Sequence, residues 1–328
     1  MKILVTGASG MLGAAVAHLL MGRGHEVTSF QRGLTKTTSA KVPTKHGSVS
    51  DAAAVSAAIA GHDAVVHLAA KVSFTGEWDE FVQTNIEGTR NVIAACREHG
   101  VRDLVFVSSP SVAHLGTSIA GVGADPADPV HARGFYARSK AQAEIEALAA
   151  DGDELRVCAL RPHIVWGPGD TQLVERVMDR ASAGRLPLLD GGRALIDTTY
   201  VDNAAEAVVR GLERLDVVHG RALVITNGEP RPVSEMIAGI CASAGIEPPR
   251  MDLPGRLARL AGRGVEKAWL AGLKRGWVQD EPPMTEFLAE QLSTSHWFDQ
   301  RETQRLLEWT PSVSIDEGFD RLAAHYRR

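Results

Sequence analysis

The sequence predicts an α/β fold in which helices cover both faces of a doubly wound parallel sheet. Over the first two thirds of the 328 residues, short β-branched runs alternate with alanine-rich stretches of helical periodicity, which is typical of successive βαβ units. The run at 64–68 is almost entirely apolar, as expected of a parallel strand buried on both faces.

The alternation places the elements as follows. Strands are predicted at 3–6, 26–30, 64–68, 104–108, 156–160, 198–201 and 222–226, and helices at 11–23, 78–99, 135–149 and 172–183. Beyond residue 160 the pattern loosens around glycine and proline clusters, so we expect the second half to supply most of the substrate-binding surface. Asp202 and Asn203 predict a helix cap there, with Glu206 completing a capping box.

Charge and cysteine content exclude several classes of protein. A net charge of −5 disfavours a nucleic-acid binder, because such proteins present basic surfaces to the phosphate backbone. Cys96, Cys158 and Cys241 fit neither a disulfide framework nor a CxxC metal site, so we expect no metal and a reducing, cytoplasmic location. The N-terminal apolar run stops at glycines too early for a signal peptide. No apolar stretch reaches the roughly 18 residues of a membrane-spanning helix.

A glycine-rich turn follows the first predicted strand. Gly7, Gly10 and Gly13 have the spacing GxxGxxG where the first helix begins. Glycines there permit a tight turn and let the backbone approach a pyrophosphate, which the N–H groups of the helix N-terminus bind. The turn therefore predicts a dinucleotide site of the Rossmann type, with contacts at Gly7, Ser9, Gly10, Met11 and Leu12.

Two regions follow from this assignment. We expect a dinucleotide-binding Rossmann domain at 1–160, whose core also receives later strands, and a mainly substrate-binding region at 161–328. The second region contains an amphipathic helical pattern at 253–277, with leucines among arginines and lysines. We expect this helix to cover the domain and to wall a pocket for an apolar substrate, with a peripheral membrane contact as the alternative.

The end of the second strand favours NADP over NAD. NAD sites generally carry an acidic residue there for the ribose hydroxyls, whereas this chain reads Gln31-Arg32-Gly33. Positions 32–45 hold four basic residues and no carboxylate, which suits a 2′-phosphate, although a solvated cationic loop is the alternative. We expect Arg32 to be the main phosphate contact, with Ser48, Val49 and Ala69 as further cofactor contacts.

Tyr136 and Lys140 carry the predicted proton chemistry. Four residues apart, they share one face of the helix predicted at 135–149. A free tyrosine has a pKa of about 10, and a nearby cation favours the phenolate. Lys140 can supply that field and bind the nicotinamide ribose. Tyr136 would then protonate a carbonyl oxygen as hydride arrives, or accept the proton in reverse.

Serines at the end of the strand predicted at 104–108 complete this constellation. Ser108-Ser109-Pro110-Ser111 lies at the carboxyl end of a parallel strand, where such sheets bind ligands. A serine hydroxyl there can hold the substrate oxygen opposite Tyr136. We predict Ser109 for this role, with Ser111 as the second candidate and turn-forming serines as the alternative.

These motifs, in this order, resemble the extended short-chain dehydrogenases over nearly the whole chain. The resemblance includes Asn85 in Thr84-Asn85-Ile86 and the segment Arg161-Pro162-His163. It implies that Pro162, His163 and Ile164 line the nicotinamide, that Asn85 supports the active site, and that the protein is a homodimer. From the residues alone, a helix-interior asparagine such as Asn85 is more often a polar packing residue. His163 is equally a plain loop histidine, and we assign it no chemical role.

The residues around 196–203 point to one branch of this family. Epimerase members usually carry Arg-Asp-Phe there, and that arginine grips a sugar-nucleotide diphosphate. Here Ile196 takes its place, which disfavours such substrates, although Arg193 could partly substitute. Tyr200-Val201-Asp202-Asn203 and the tails at 281–285 and 295–299 resemble the 3β-hydroxysteroid dehydrogenase branch.

Within that branch, the tail and residues 31–33 most resemble bacterial reductases of olefin biosynthesis. Those enzymes reduce 2-alkyl-3-oxoalkanoates to 3-hydroxy acids with NADPH. The resemblance therefore implies an NADP(H)-dependent oxidoreductase that acts on a long, lipid-like molecule. A steroid dehydrogenase using NAD, a nucleotide-sugar epimerase and a non-catalytic NADP(H) sensor remain the alternatives.

Overall fold

Short strands build a large sheet and several small ones. The structure is a computed structural model that describes residues 1–33, 42–73, 76–114, 116–274 and 286–327. In chain order the strands are β1 Lys2–Thr6, β2 Glu26–Gln31, β3 Thr44–His46, β4 Ala64–His67, β5 Asp103–Val107, β6 Ile119–Val122, β7 Arg156–Pro162, β8 Val165–Trp166, β9 Leu188–Leu189, β10 Leu195–Ile196, β11 Thr199–Tyr200, β12 Ala222–Ile225, β13 Arg231–Pro232, β14 Asp252–Leu253 and β15 His296–Phe298.

Helices connect these strands. They are α1 Met11–Gly22, α2 Ala52–Ile59, α3 Trp78–Phe81, α4 Gly88–Glu98, α5 Gly134–Ala149, α6 Val174–Ser182, α7 Val201–Glu213, α8 Leu215–Val218, α9 Val233–Ser243, α10 Gly255–Lys274, α11 Glu286–Ser293, α12 Arg301–Leu307 and α13 Ile315–Tyr326. A π-helical turn, Val82–Glu87, joins α3 to α4, and a 3₁₀ turn, Pro110–Ala113, follows β5.

The large sheet has seven strands in the order β3-β2-β1-β4-β5-β7-β12. Each neighbouring pair is parallel, so all carboxyl ends meet at one edge. The chain winds outward in both directions from β1 and β4, and the crevice between these two strands is where such sheets bind ligands. The fold prediction of a doubly wound Rossmann-type sheet is confirmed.

Two apolar layers enclose the large sheet. Ile3 and Val5 face the layer formed by α1 and α7, whereas Leu4 faces the layer formed by α2, α4 and α5. This alternation along one strand explains why the run reads as continuously apolar, since both of its faces are buried. The sheet thereby fixes the positions from which the loops leave its carboxyl edge.

The remaining strands form a second region over that edge. One small sheet has the order β13-β10-β15-β6, and the pairs β8–β11 and β9–β14 complete the region. Because β12 returns to the large sheet and β6 leaves it for the small sheet, the two regions interleave along the chain. The boundary at 160 therefore stays a prediction.

Most predicted elements lie within two residues of their observed ends. Elements that were not predicted include the three-residue edge strand β3, helix α2 and, in the second region, helices α9, α12 and α13. The capping prediction was wrong. Asn203 lies inside α7, where its amide donates to Asn227 Oδ1 and Val313 O, and Glu206 pairs with Arg23. The helix predicted at 253–277 is α10, and positions 275–277 lie outside the described residues.

Candidate active site

The glycine turn after β1 has no room for a side chain at Gly7 or Gly13. Gly7 has φ +74°, and a Cβ added there would lie 2.7 Å from the backbone nitrogen of Ala69. A Cβ on Gly13 would lie 2.3 Å from the carbonyl oxygen of Gly7. Such distances are shorter than any real contact, so glycine is required at both positions. Ala69, predicted as a cofactor contact, lies directly behind this turn.

The first turn of α1 fits a pyrophosphate. Gly10 is its N-cap, contributes no side-chain cap, and has only the Gly7 oxygen, at 3.6 Å, near its added Cβ. The orphan N–H groups of a helix N-terminus attract an anion, and the missing side chain lets it come close. The residues present therefore fit a dinucleotide.

The loop after β2 is only partly described. Arg32 is exposed directly after β2, and Gln31 donates to the carbonyl of Gly33. Lys36 and Lys41 lie outside the described residues. Lys45, counted with them in the sequence, lies on β3 and donates to Ala57 O and Ala58 O at the end of α2. Among the basic residues that the structure describes in this stretch, Arg32 is the one next to the predicted ribose site.

Ser48 and Val49 follow β3. The hydroxyls of Ser48 and Ser50 lie 2.7 Å apart, and Asp51 caps α2 through Ala53 N and Ala54 N. Val49 is buried against Gly88, whose added Cβ would meet Val49 Cγ2 at 2.7 Å. Their roles at the adenine stay predictions.

The serine strand and the tyrosine helix meet at the carboxyl edge of β5. A hydrogen bond joins the Tyr136 hydroxyl to Ser109, and Ser111 donates to Ser109 Oγ at 3.0 Å. Burial raises the pKa of Tyr136 to about 12, and the bond with Ser109 opposes that rise. The structure thus pairs Ser109, rather than Ser111, with the predicted acid.

Lys140 lies one turn further along α5 and is buried. Its Nζ donates to Val107 O at 2.8 Å and lies 4.0 Å from the ring centroid of Phe106. Burial lowers the pKa of Lys140 to about 7, and the nearby carboxylate of Glu144 opposes this shift. The four-residue spacing predicts that Lys140 lowers the pKa of Tyr136. In the structure the pKa of Tyr136 is raised, and its shift comes from burial and from Ser109. The effect of Lys140 on the Tyr136 pKa therefore stays a prediction.

Asn85 joins the loop after β4 to α5. It accepts from Lys71 N at 2.7 Å, and its amide donates to Lys71 O and to Ser139 Oγ at 3.2 and 2.9 Å. Asn85 lies in the π-helical turn between α3 and α4, and π-turns of this kind often mark functional sites. Ser139 lies between Tyr136 and Lys140, so Asn85 supports the helix that carries both.

These residues line one end of a cavity of about 830 Å³. Lining residues from the predicted site are Gly7, Ser9, Gly10, Met11, Leu12, Ser109, Tyr136, Lys140, Pro162, His163 and Ile164. Beyond them the walls come largely from apolar side chains of the second region, namely Leu173, Val177, Leu186, Ile196, Val233, Met236, Ile237, Ile240, Leu292 and Phe298. A reactive polar end therefore opens into a long apolar chamber.

Two histidines that line the cavity were not predicted from the sequence. The Nε2 atoms of His114 and His296 lie 3.0 Å apart, and both side chains are buried. Burial and the neighbouring rings of His114 and His163 lower the pKa of His296 to about 3. No local motif links positions 182 residues apart, so only the fold reveals this pair.

The position that distinguishes epimerases is apolar here. Ile196 is buried and lines the cavity, whereas Arg193 is exposed and absent from its walls. Arg193 therefore does not replace the diphosphate-binding arginine. Arg176 and Arg180, both on α6, do line the cavity. They bring positive charge to a wall that is otherwise mainly apolar.

The fold and this site define a protein of the short-chain dehydrogenase/reductase type. Residues 3–226 match the NAD dependent epimerase/dehydratase family, and the chain belongs to that family.

Relatives cover the chain from end to end. It is 43% identical to the 2-alkyl-3-oxoalkanoate reductase of Stenotrophomonas maltophilia (strain K279a), with 99% of each chain covered. The enzyme of that name from Shewanella oneidensis is 37% identical over 98% of this chain and 85% of that protein. The 3-beta-hydroxysteroid dehydrogenase of Mycolicibacterium neoaurum is 30% identical over 99% and 91%.

Solved structures share the fold. The UDP-glucuronic acid 4-epimerase from Bacillus cereus, in complex with NAD, superposes with a TM-score of 0.75 at 19% identity, covering 99% of this chain and 100% of that one. No helix within the described ranges is long and apolar enough to cross a membrane.

Proposed function

We propose that the protein reduces 2-alkyl-3-oxoalkanoates to 2-alkyl-3-hydroxyalkanoates with NADPH. The observation that carries this proposal is the single cavity that joins the Tyr136–Ser109 pair to an apolar chamber. A ketone flanked by alkyl chains matches both ends of it. The names of the relatives from Stenotrophomonas and Shewanella agree with this substrate class.

The chain's own residues supply binding and proton transfer. NADPH, when bound, supplies the hydride. Ser109 donates a hydrogen bond to the substrate carbonyl oxygen and so holds it against Tyr136. The phenol of Tyr136 gives its proton to that oxygen as negative charge develops on it. Lys140, at the same end of the cavity, would hold the nicotinamide ribose.

The cavity walls would select the substrate. Ile196 offers no charge to a diphosphate, and the surrounding side chains offer apolar contact to alkyl chains. Arg176, half-buried in the cavity wall, would attract the carboxylate of a 3-oxo acid, since guanidinium groups bind carboxylates well.

NADP preference is the second part of the proposal. Arg32 would bind the 2′-phosphate, and neither Gln31 nor Gly33 offers the carboxylate that NAD sites use for the ribose. In Arg32→Ala we expect the KM for NADPH to rise about tenfold or more, with that for NADH nearly unchanged. Equal changes for the two cofactors would contradict the assignment.

The test of the reaction follows NADP⁺ reduction by a long-chain 2-alkyl-3-hydroxy acid, because 3-oxo acids decarboxylate on standing. A 3β-hydroxysteroid with NAD⁺ is assayed in parallel. Turnover of the hydroxy acid by wild type, and a loss of at least about a hundredfold in Tyr136→Phe with cofactor binding intact, are the expected results.

Each other outcome has a clear meaning. Turnover of the steroid with NAD⁺ and none of the hydroxy acid would favour steroid dehydrogenation and overturn the proposed substrate. Undiminished turnover in Tyr136→Phe would overturn its role as the acid. Cofactor binding without turnover of either substrate would favour the non-catalytic sensor.

A further inference from the structure

Helix α10 carries exposed leucines on the outside of the substrate region. Leu257 and Leu260 are 63% and 67% exposed, and in the segment that leads into the helix Met251 and Leu253 are 46% and 39% exposed. We call these four side chains the α10 patch. Single exposed apolar residues are ordinary, but four large ones within ten residues of the chain indicate an interaction surface.

The opposite face of the same helix is already used. Ala258 is buried against Leu189 of β9 and Ala289 of α11, and Leu292 packs against that cluster. The helix start is anchored as well, because Gly255 N donates to Asp190 Oδ1 and Arg259 donates to Ser293 Oγ. The leucines of the α10 patch therefore do not lie on the core-facing side of this helix, and they do not contribute to the packing of the domain.

Leu292 relates this wall to the active site. It packs on the inner side of α10 and also lines the 830 Å³ cavity. Leu186, two residues before β9, lines the same chamber. The α10 patch thus lies on the outer side of the wall that closes the apolar end of the cavity.

The segment that carries the α10 patch is basic in sequence. Between Glu247, which pairs with Arg250, and residue 274 the sequence has six basic and three acidic side chains, a net charge of +3 in a chain whose net charge is −5. Arg256, next to Leu257, is exposed. A helix with leucines on one face among arginines is the pattern that binds in the headgroup region of anionic bilayers.

We propose that the α10 patch binds the surface of an anionic lipid bilayer, with Leu257 and Leu260 among the acyl chains and the adjacent arginines against phosphate headgroups. A two-fold contact through this patch would place basic residues against basic residues, so its charge favours an anionic lipid surface over a second copy. The lipid-like substrate, which rests on the proposed function, gives the docking a use. Bound in this way, the protein would meet its substrate where long alkyl chains partition.

Vesicle binding tests the proposal with the full-length protein and needs neither substrate nor cofactor. Purified protein is sedimented with vesicles of phosphatidylcholine alone and with vesicles of equal parts phosphatidylcholine and phosphatidylglycerol. We expect binding to the anionic vesicles that weakens with added salt. The double variant Leu257→Glu/Leu260→Glu should lose at least about tenfold in affinity, since its charges oppose both contributions.

A matched control measures the general effect of placing a glutamate on the surface. Val130 is 75% exposed on another part of the chain, so Val130→Glu should bind vesicles like wild type. Thermal melting and NADPH binding check that every variant is folded, and both Leu→Glu changes sit at exposed positions where glutamate is a good helix former.

Three outcomes would overturn the proposal. They are no binding of wild type to anionic vesicles, equal binding by the double variant, and a wild-type dimer that the double variant abolishes without any vesicle binding. The last would assign the α10 patch to a second copy of the chain. All three can be read even if the protein fails to reduce a 3-oxo acid, so the two proposals fail separately.

Discussion

The carboxylate of Glu144 accepts from both Nε and Nη2 of Arg161, and this buried pair joins helix α5 to strand β7 one turn beyond Lys140. Arg161 also donates to Asp125 O. The strand that leads to Pro162 and His163 is thereby fixed against the helix that carries Tyr136. Both side chains are almost fully buried, so each charge depends on the other for compensation.

Glu144→Gln should therefore cost about 3–5 kcal/mol of unfolding free energy, because it leaves the Arg161 charge buried without a counter-charge. Glu146→Gln, on the same helix, weakens the partly exposed pair with Arg90 and should cost about 1 kcal/mol or less. Urea denaturation measures both. Similar losses for the two variants would contradict the importance of the buried pair.

Gly13→Ala should disrupt the cofactor turn. Its Cβ would lie 2.3 Å from Gly7 O and 2.9 Å from Ala8 Cα, and these backbone atoms cannot move aside without deforming the turn. We expect a loss of about 1–3 kcal/mol in stability and much weaker NADPH binding. Gly22→Ala, in the same helix, has open space around its Cβ and should stabilise the protein by up to about 1 kcal/mol. Fluorescence titration with NADPH and thermal melting give the comparison.

Stability should fall as pH falls below about 6.5. Burial lowers the pKa of His67 to about 3, that of His163 to about 4 and that of His296 to about 3. Between those values and 6.5 the unfolded chain binds protons that the folded chain does not, so acid favours unfolding. Asp197, whose pKa burial raises to about 6, acts in the opposite direction between about pH 4 and 6, but it is one group against three.

The size of this effect is about 2 kcal/mol per histidine by pH 5 if each shift is fully realised. Urea unfolding at pH 7.5, 6 and 5 measures it. His67→Gln should flatten the pH dependence by up to one proton, since His67 contacts Thr6 and Thr89 through neutral hydrogen bonds. An unchanged slope in that variant would show that His67 does not contribute.

Arg176→Leu should discriminate between an acid and its ester. If Arg176 attracts the substrate carboxylate, the KM for a 2-alkyl-3-hydroxy acid should rise about tenfold or more, while the KM for its methyl ester should change little. Arg185, exposed just after α6 and not part of the cavity wall, provides the control Arg185→Leu. Equal effects of Arg176→Leu on acid and ester would remove the carboxylate role.

Local sequence determined a large part of this protein. The spacing of Gly7, Gly10 and Gly13 specifies a turn in which no side chain fits at Gly7 or Gly13. The alternation of Ile3, Leu4 and Val5 specifies a strand buried on both faces. Tyr136 and Lys140 fall on one helix face through helical periodicity alone. Each of these signals spans only a few residues, which is why it can be recognised in the sequence.

Tertiary structure decided what no short pattern encodes. The contact of His114 with His296, the pairing of Arg161 with Glu144, and the position of Asn203 inside α7 rather than at its cap join segments that are distant in sequence or depend on buried partners. The apolar chamber likewise arises where α6, α9 and α11 converge over the sheet. Burial depends on which elements meet, and that is a property of the whole fold, because the free energy of packing is gained only when distant segments exclude water together.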